Sequence, residues 1–337
     1  MRVISGKYRG KNLVAPEGKD VRPTIDRVKE SIFNVIQFGV MNSKFVDLFA
    51  GTGSMGIEAI SRGACETIFS DISKTSLDFV KYNLKGIDGN YKILNRDYRE
   101  TLNSIQGSVD YIFVDAPFAL DCINEICLIV GKRKLIDKSG YIIYEHDIER
   151  NYTLSQEFYI EKSKTFGKIQ VDFIKLANKV CAVTGSFDPI TKGHLDIIEK
   201  ALNEYDKVVV VIAQNETKKS LFTLEQRKEI VQKAVFNYPN VLVDICDGYI
   251  FKYLNEHKID IIVRGYRNDT DYAYEIDMAK YNKEHGNIET ILYKAKDEKV
   301  DISSTKVRQA LINNENIKDL VPKCVYNIIV KLYKENQ

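Results

Sequence analysis

The sequence predicts an α/β protein of two domains, each organised around a largely parallel sheet. Three observations lead there. The 337 residues suffice for two domains of about 150 residues each. Residues 45–49 and 180–184 are apolar runs of strand length that lead straight into glycine-containing loops, Ala50-Gly51-Thr52-Gly53 and Gly185-Ser186-Phe187-Asp188-Pro189. After each loop, apolar runs alternate with helical periods, the pattern of parallel strands joined by crossover helices.

The elements follow in order. In the first half, strands are expected at 67–70, 92–95 and 111–114 after the one at 45–49. Residues 158–164 and 169–176 flank Thr165-Phe166-Gly167-Lys168 as a hairpin, an antiparallel ending to the first sheet. The boundary falls near Ala177-Asn178-Lys179 with almost no linker, giving domains 1–177 and 178–337. The second half opens on the strand 180–184 and closes on an amphipathic helix, 322–334. Val325, Ile328, Ile329 and Leu332 form the core face of that helix.

Composition narrows the class. Hydrophobic residues at 44% and charged residues at 28% describe a folded chain and exclude disorder and collagen-like repeats. The longest aliphatic run, residues 208–213, is far short of the roughly 20 residues of a spanning helix, so no membrane partner is expected. Residues 1–16 lack the apolar core of a secretory signal. Six scattered cysteines (65, 122, 127, 181, 246 and 324) show no CxxC and no histidine at zinc-ligand spacing. The expectation is free thiols, a cytoplasmic location and no resident metal. Cys122 and Cys127, five apart, belong on a helix without a redox role. The net charge of +2 is uninformative. Residues 1–44, however, carry nine Lys/Arg against four Asp/Glu. Lys7, Tyr8, Arg9 and Lys11 there suit phosphate contacts on RNA, or else a solvated strand face.

In the first half, residues 46–56 read as strand, tight turn and helix start. Gly51 and Gly53 let backbone N–H groups approach a ligand. With Gly56 the string also matches GxGxxG, which leaves a nicotinamide cofactor open. Asp71, at the next strand end, suits ribose hydroxyls for either cofactor. Asp97 follows the third strand and suits an adenine amino group. Asp115-Ala116-Pro117-Phe118 follows the strand 111–114, and a dehydrogenase has no use for it. A methyltransferase acting on an exocyclic amine does.

On these residues the segment resembles the bacterial 16S ribosomal RNA guanine-N2 methyltransferases over about residues 1–177. Arg2-Val3-Ile4-Ser5-Gly6-Lys7-Tyr8-Arg9-Gly10, Arg22-Pro23-Thr24, Asp26-Arg27-Val28-Lys29-Glu30 and Gly140-Tyr141-Ile142-Ile143-Tyr144-Glu145-His146 also match. The resemblance implies a Rossmann-like sheet that binds S-adenosylmethionine. Asp47, Gly51 and Gly53 would hold its methionine end, Asp71 its ribose and Asp97 its adenine. The Asp115 carboxylate and the Ala116 carbonyl would accept hydrogen bonds from the guanine amine, while Phe118 stacks on the extruded base. The substrate would be 16S RNA, free or in a small-subunit particle. The family's Asp-Pro-Pro string reads Asp115-Ala116-Pro117 here. Ala116 keeps the carbonyl and loses proline's fixed φ, so weakened preorganisation is expected.

The second half carries Thr184-Gly185-Ser186-Phe187-Asp188-Pro189-Ile190-Thr191-Lys192-Gly193-His194. Here a strand ends in a phosphate-receiving turn, and a helix N-terminus follows with a histidine aimed at developing charge. The string resembles the T/HxGH nucleotidyltransferases. Residues 218–227, Asp247-Gly248-Tyr249-Ile250, residues 263–267, residues 271–275 and residues 302–308 are similar to bacterial phosphopantetheine adenylyltransferases, in family order. The resemblance implies a second Rossmann-like domain that transfers AMP from ATP to 4'-phosphopantetheine, giving dephospho-coenzyme A and pyrophosphate. Ser186 would lie between the substrates and His194 would stabilise the transition state. Lys218 and Arg264 would bind the acceptor phosphate, and Ile250 the pantetheine arm. Phe187, Gly265, Tyr266, Arg267, Glu275, Lys299, Val300, Asp301, Ile302, Ser303, Ser304 and Thr305 would hold ATP. Mg2+ would enter with ATP. Lys218 and Lys219 also admit reading as an ordinary solvated pair. A homo-oligomer, the family's hexamer, is the expectation for this half.

The chain thus reads as a bifunctional enzyme. In the alternative the first domain is a degenerate RNA-binding or assembly module, an option that rests on Ala116 alone.

Overall fold

The computed structural model describes residues 1–16, 26–214, 220–295 and 301–336. It divides into two compact units, Met1–Leu176 and Ala177–Gln337. Each is an α/β sheet, and in each the strand order reverses once next to the first strand of the sheet.

In the first unit the order of elements is α1 (Asp26–Ile36), β1 (Lys44–Asp47), α2 (Ser54–Ser61), β2 (Glu66–Asp71), α3 (Lys74–Asn83) and β3 (Tyr91–Asn95). Then come α4 (Tyr98–Ser104), β4 (Tyr111–Val114), α5 (Ile123–Arg133), β5 (Tyr141–Asp147), β6 (Phe158–Phe166) and β7 (Ile169–Leu176). The sheet order is β3-β2-β1-β4-β5-β7-β6. Its first five strands are parallel, and the β6–β7 hairpin closes it antiparallel. The middle strands are buried on both faces because alternate side chains enter different cores. Val46, Ile112 and Val114 join Tyr144 and Ile126 on one side. Phe45, Tyr111 and Phe113 join Ile32 and Phe33 on the other.

The second unit runs β8 (Val180–Gly185), α6 (Lys192–Leu202), β9 (Lys207–Ala213), α7 (Leu224–Ala234), β10 (Val241–Cys246) and α8 (Ile250–Glu256). It continues with β11 (Ile261–Tyr266), α9 (Asp269–Gly286), β12 (Glu289–Lys294), α10 (Ser304–Ile312) and α11 (Tyr326–Glu335). Five parallel strands are ordered β10-β9-β8-β11-β12. The aliphatic run of β9 shows why the sequence forms a central strand here. Val208, Val210 and Ile212 enter one core, while Val209 and Val211 enter the other. Each such side chain contributes about 1.5–3 kcal/mol of burial. The final helix begins later than its apolar pattern suggests. Lys323–Val325 form a 3-10 turn, and Val325 and Ile329 are buried in the core with Ile328 and Leu332 packed beside them.

Both sheets reverse direction between their first and fourth strands, β1/β4 and β8/β11. The crevice outside the carboxyl ends of strands at such a reversal is where α/β sheets bind ligands. Among the described residues no helix is long and apolar enough to cross a membrane, and no cluster of His, Cys, Asp or Glu is arranged to hold a metal. Cys122 caps α5 and Cys127 lies inside it. Both are buried, as are Cys181 and Cys246, and all six cysteines are free.

Candidate active sites

In the first unit the turn after β1 is built by Gly53, whose φ of 78° places it in the left-handed region as the N-cap of α2. Having no side chain, Gly53 leaves the first-turn amides of α2 uncapped, and β1 supplies the missing acceptor. The Asp47 carboxylate takes the N–H of Gly56 at 2.9 Å. Gly56, third of the GxGxxG glycines, serves packing: a Cβ there would lie 2.2 Å from the Phe69 ring. Asp71, at the end of β2, accepts from Gly51 N–H at 2.9 Å and Ser73 N–H at 2.8 Å, which fixes the loop against the neighbouring strand. Asp97 caps α4 through the N–H of Arg99 at 2.8 Å.

Asp115 follows β4 directly. Burial raises its carboxyl above the usual range, and burial first, then the charges of Asp115 and Asp71, push Asp47 up to about 8. Glu145 is raised by burial and by Asp115. Among the described residues no cationic side chain acts on any of the three, and the carboxylates of Asp47, Asp115 and Glu145 sit together as a nest. Ala116 is buried and Phe118 is 45% exposed. Arg150 holds the Phe118 loop, donating to the carbonyls of Phe118 and Leu120 and to the Tyr144 hydroxyl.

The basic N-terminus is folded onto the same unit. Val3 and Leu13 enter a core cluster. Lys7 pairs with Asp88 at 3.2 Å, Tyr8 bonds Asp88, and Lys11 donates to the Lys85 carbonyl. Arg9 is exposed, and Arg22-Pro23-Thr24 lies outside the described residues.

In the second unit a cavity of about 450 Å³ opens between the ends of β8 and β11. Ser186, Phe187, His194, Arg264, Gly265, Arg267, Glu275, Ile302, Ser303, Ser304 and Thr305 all line it, although up to 119 residues of chain separate them. His194 is the third residue of α6 and closes a capping box: its Nδ1 accepts from the Thr191 N–H at 3.1 Å, and its own N–H donates to Thr191 Oγ1 at 3.3 Å. An amide can only donate, so Nδ1 is unprotonated and Nε2 carries the ring proton. Burial, then Arg264 and Arg267, push the imidazole down to about 4. His194 is therefore a neutral donor at pH 7. Phe187 packs its ring 5.0 Å from that of His194 and adopts φ 45°, a conformation held against steric preference at the turn.

The start of α10 supplies amides. The Ser303 hydroxyl caps the helix through Lys306 N–H at 3.1 Å, Ser304 Oγ donates to the Pro189 carbonyl at 2.8 Å, and Thr305 Oγ1 accepts from Arg308 at 3.0 Å. With these hydroxyls engaged, the N–H groups of the first turn are what α10 offers an anion. Arg264 is clamped to Glu275 by two bonds of 2.9 and 2.7 Å and to the Thr184 carbonyl at 2.9 Å. Arg267 pairs with Asp271 at 2.7 Å.

Other expected residues lie elsewhere. Tyr266 does not line the cavity and packs its ring 4.8 Å from Tyr272. Ile250 opens α8 against the Leu254 cluster. Asp301 is exposed and outside the lining. Lys218, Lys219, Lys299 and Val300 lie outside the described residues.

Three supporting residues carry no assignment from the sequence. Asp188 accepts the N–H groups of Leu221 and Phe222, each at 2.9 Å. Arg308 donates to the Asp188 carbonyl at 2.7 Å. Arg227, only 2% exposed, donates to the Ser186 carbonyl at 2.9 Å and to Ala213 and Thr223 at 3.4 Å. It ties the turn after β8 to β9 and α7. A signal existed for it: Arg227, Ile230, Val231 and Ala234 fall on one apolar stripe of α7, where a charge is out of phase.

The comparisons with known proteins divide at the same place. Residues 1–175 match the family described as Conserved hypothetical protein 95, and residues 182–310 match the Cytidylyltransferase-like family. The phosphopantetheine adenylyltransferase of Thermotoga neapolitana is 39% identical over 47% of this chain and 99% of its own length. That of Bdellovibrio bacteriovorus is 42% identical over 44% of this chain and 93% of its own. A solved structure of a candidate methyltransferase from Escherichia coli is similar over 52% of this chain and 97% of its own, with 24% identity and a TM-score of 0.48. The chain belongs to two families, Conserved hypothetical protein 95 in its first half and the phosphopantetheine adenylyltransferases in its second.

Proposed function

We propose that the second unit transfers the adenylyl group of ATP to 4'-phosphopantetheine, forming dephospho-coenzyme A and pyrophosphate. The observation that carries this reading is one cavity that gathers a neutral histidine with a fixed Nε2 proton, three arginines and two helix N-termini. That set is complementary to a polyphosphate and to the charge that builds on the α-phosphate during in-line displacement. His194 donates to the non-bridging oxygen, and Arg264, held rigid by Glu275, faces the acceptor phosphate. The three carboxylates lining the cavity are already engaged: Asp188 by backbone amides, Asp271 by Arg267 and Glu275 by Arg264. With those partners in place, Mg2+ would enter with the triphosphate.

For the first unit we infer methyl transfer from S-adenosylmethionine to a guanine N2 of 16S RNA. Carboxylates without a cation suit a ligand that brings a sulfonium and an ammonium, and they oppose the pyrophosphate of a nicotinamide dinucleotide. Asp47 faces the ammonium, Asp71 the ribose, and Asp115 with the Ala116 carbonyl the amine. Phe118, 45% exposed on its Arg150-held loop, would stack on the base.

The test is methyl transfer by the full chain to 16S RNA or immature small-subunit particles, beside Asp115→Ala, with dephospho-coenzyme A formation as an internal control. Asp115-dependent methylation supports the reading. An inactive first unit beside an active second one favours the degenerate module to which Ala116 points.

A further inference from the structure

The carboxylate nest of the first unit holds one member that the reading above does not use. Glu145 lies on β5 one position beyond the Val114–Tyr144 pair, so it flanks Asp115 across the parallel ladder and shares its face of the sheet. It is 94% buried, since its relative exposure is 6%. Its Oε2 meets no donor among the described residues. A buried carboxylate oxygen without a donor makes the anion costly, and the neighbouring packing is apolar. Its β7 partner is Val171, and the cluster that Val171 joins with α1 and α2 is apolar (Val28, Ile32 and Met55 among others). Among the described residues the charged group acting on Glu145 is Asp115, which directly follows β4. Behind that stands Asp47 of β1, which feels Asp115 in turn.

We propose that Glu145 completes, with Asp115, a carboxylate pair that receives the proton released in methyl transfer. The proposal rests on the methyltransferase reading of this unit. As the amine nitrogen bonds the methyl carbon, the carbon–sulfur bond breaks and its electron pair stays on sulfur. The sulfonium becomes a thioether, and the nitrogen is left with one proton too many. Asp115, which touches the amine, accepts that proton. Repulsion from Glu145 makes the pair a stronger acceptor than a lone carboxylate, and the proton is then shared over both groups. Glu145 acts through Asp115 and is a positioning residue.

The experiment is single-turnover methylation of immature small-subunit particles by the full chain at saturating S-adenosylmethionine, from about pH 5 to 9. Wild-type chain should gain rate with pH as the pair ionises, above the ordinary carboxylate range. Glu145→Gln should lose about a hundredfold in rate at pH 7 and shift its remaining rise to lower pH, because Asp115 is relieved of its neighbour's charge. Its S-adenosylmethionine affinity should stay unchanged. Glu145→Asp should recover part of the loss. A Gln variant that binds S-adenosylmethionine and keeps the wild-type rate and profile overturns the proposal. If that variant fails to bind, the wild-type profile decides, and a flat rate across the range contradicts the pair. Absence of methylation by wild type at every pH defeats the methyltransferase reading itself, and this proposal with it.

Discussion

The two units place their candidate sites at the same point of similar sheets and furnish them with different side chains, buried carboxyls in one and arginines with a histidine in the other. In the first, Asp47, Asp71 and Asp115 gather at the ends of β1, β2 and β4, and burial lifts Asp47 to about 8. In the second, Arg264, Arg267 and Arg308 line the crevice between β8 and β11, and His194 is lowered to about 4. Strand order alone therefore does not set the character of the crevice; the side chains at the reversal do.

The largest effects expected are the most selective. His194→Ala should reduce dephospho-coenzyme A formation by about 10²–10³-fold, the loss typical of one transition-state donor. Asp115→Ala should remove methyl transfer by about 10²–10⁴-fold. Each should leave the other unit's activity as it was, and initial-rate assays of both reactions on each variant check this. Cross-effects would break the comparison.

A smaller effect is expected from Arg227, which touches no substrate. Arg227→Met leaves the Ser186, Ala213 and Thr223 carbonyls without their donor and loosens the turn after β8. About a tenfold fall in kcat is expected, with a lower Tm for the second unit, because a displaced catalytic group loses orientation. Unchanged kcat would show that the turn holds itself.

The pH dependence of stability should differ in sign between the units. Folded Asp47 keeps its proton up to about 8, whereas the unfolded chain loses it near the ordinary aspartate value of 3.8. The folded state therefore binds more protons in that window, and the ligand-free first unit loses stability as pH rises through it. Folded His194 stays neutral down to about 4 against 6.5 unfolded. The second unit therefore loses stability as pH falls from 6.5 towards 4. Thermal unfolding followed separately for each unit across this range should show opposed slopes.

The smallest effect concerns the family's missing proline. Ala116→Pro should stabilise the loop by at most about 1 kcal/mol and raise the methylation rate by at most about fivefold on that scale. A fall in rate would show that Ala116 needs a conformation or an N–H that proline denies.

How much of this was legible follows from the distance over which each feature is decided. The strand–loop–helix strings at 46–56 and 180–194 are local, and the structure places both at a strand-order reversal. Arg264 and Glu275 were both expected in the site, but as ligand contacts. That they clamp each other depends on β11 and α9 meeting, which spacing does not reveal. Tyr266 and Ile250 follow their motifs in sequence, yet Tyr266 pairs with Tyr272 at the surface and Ile250 packs against the Leu254 cluster. The roles of Arg227 and Glu145 were missed, although each stands as a charge where an apolar residue belongs. An out-of-phase charge is the readable mark of a position that apolar packing alone does not explain.

The most direct test of this contrast is calorimetric titration of the full chain with S-adenosylmethionine in two buffers of different ionisation enthalpy. At about pH 6.5 the ligand's ammonium is fully charged, and a cation set among protonated carboxylates lowers their pKa. The expected result is stoichiometric binding with net release of protons, reduced in Asp47→Asn. No binding, or binding that releases no protons, would contradict the carboxylate nest as a cation site.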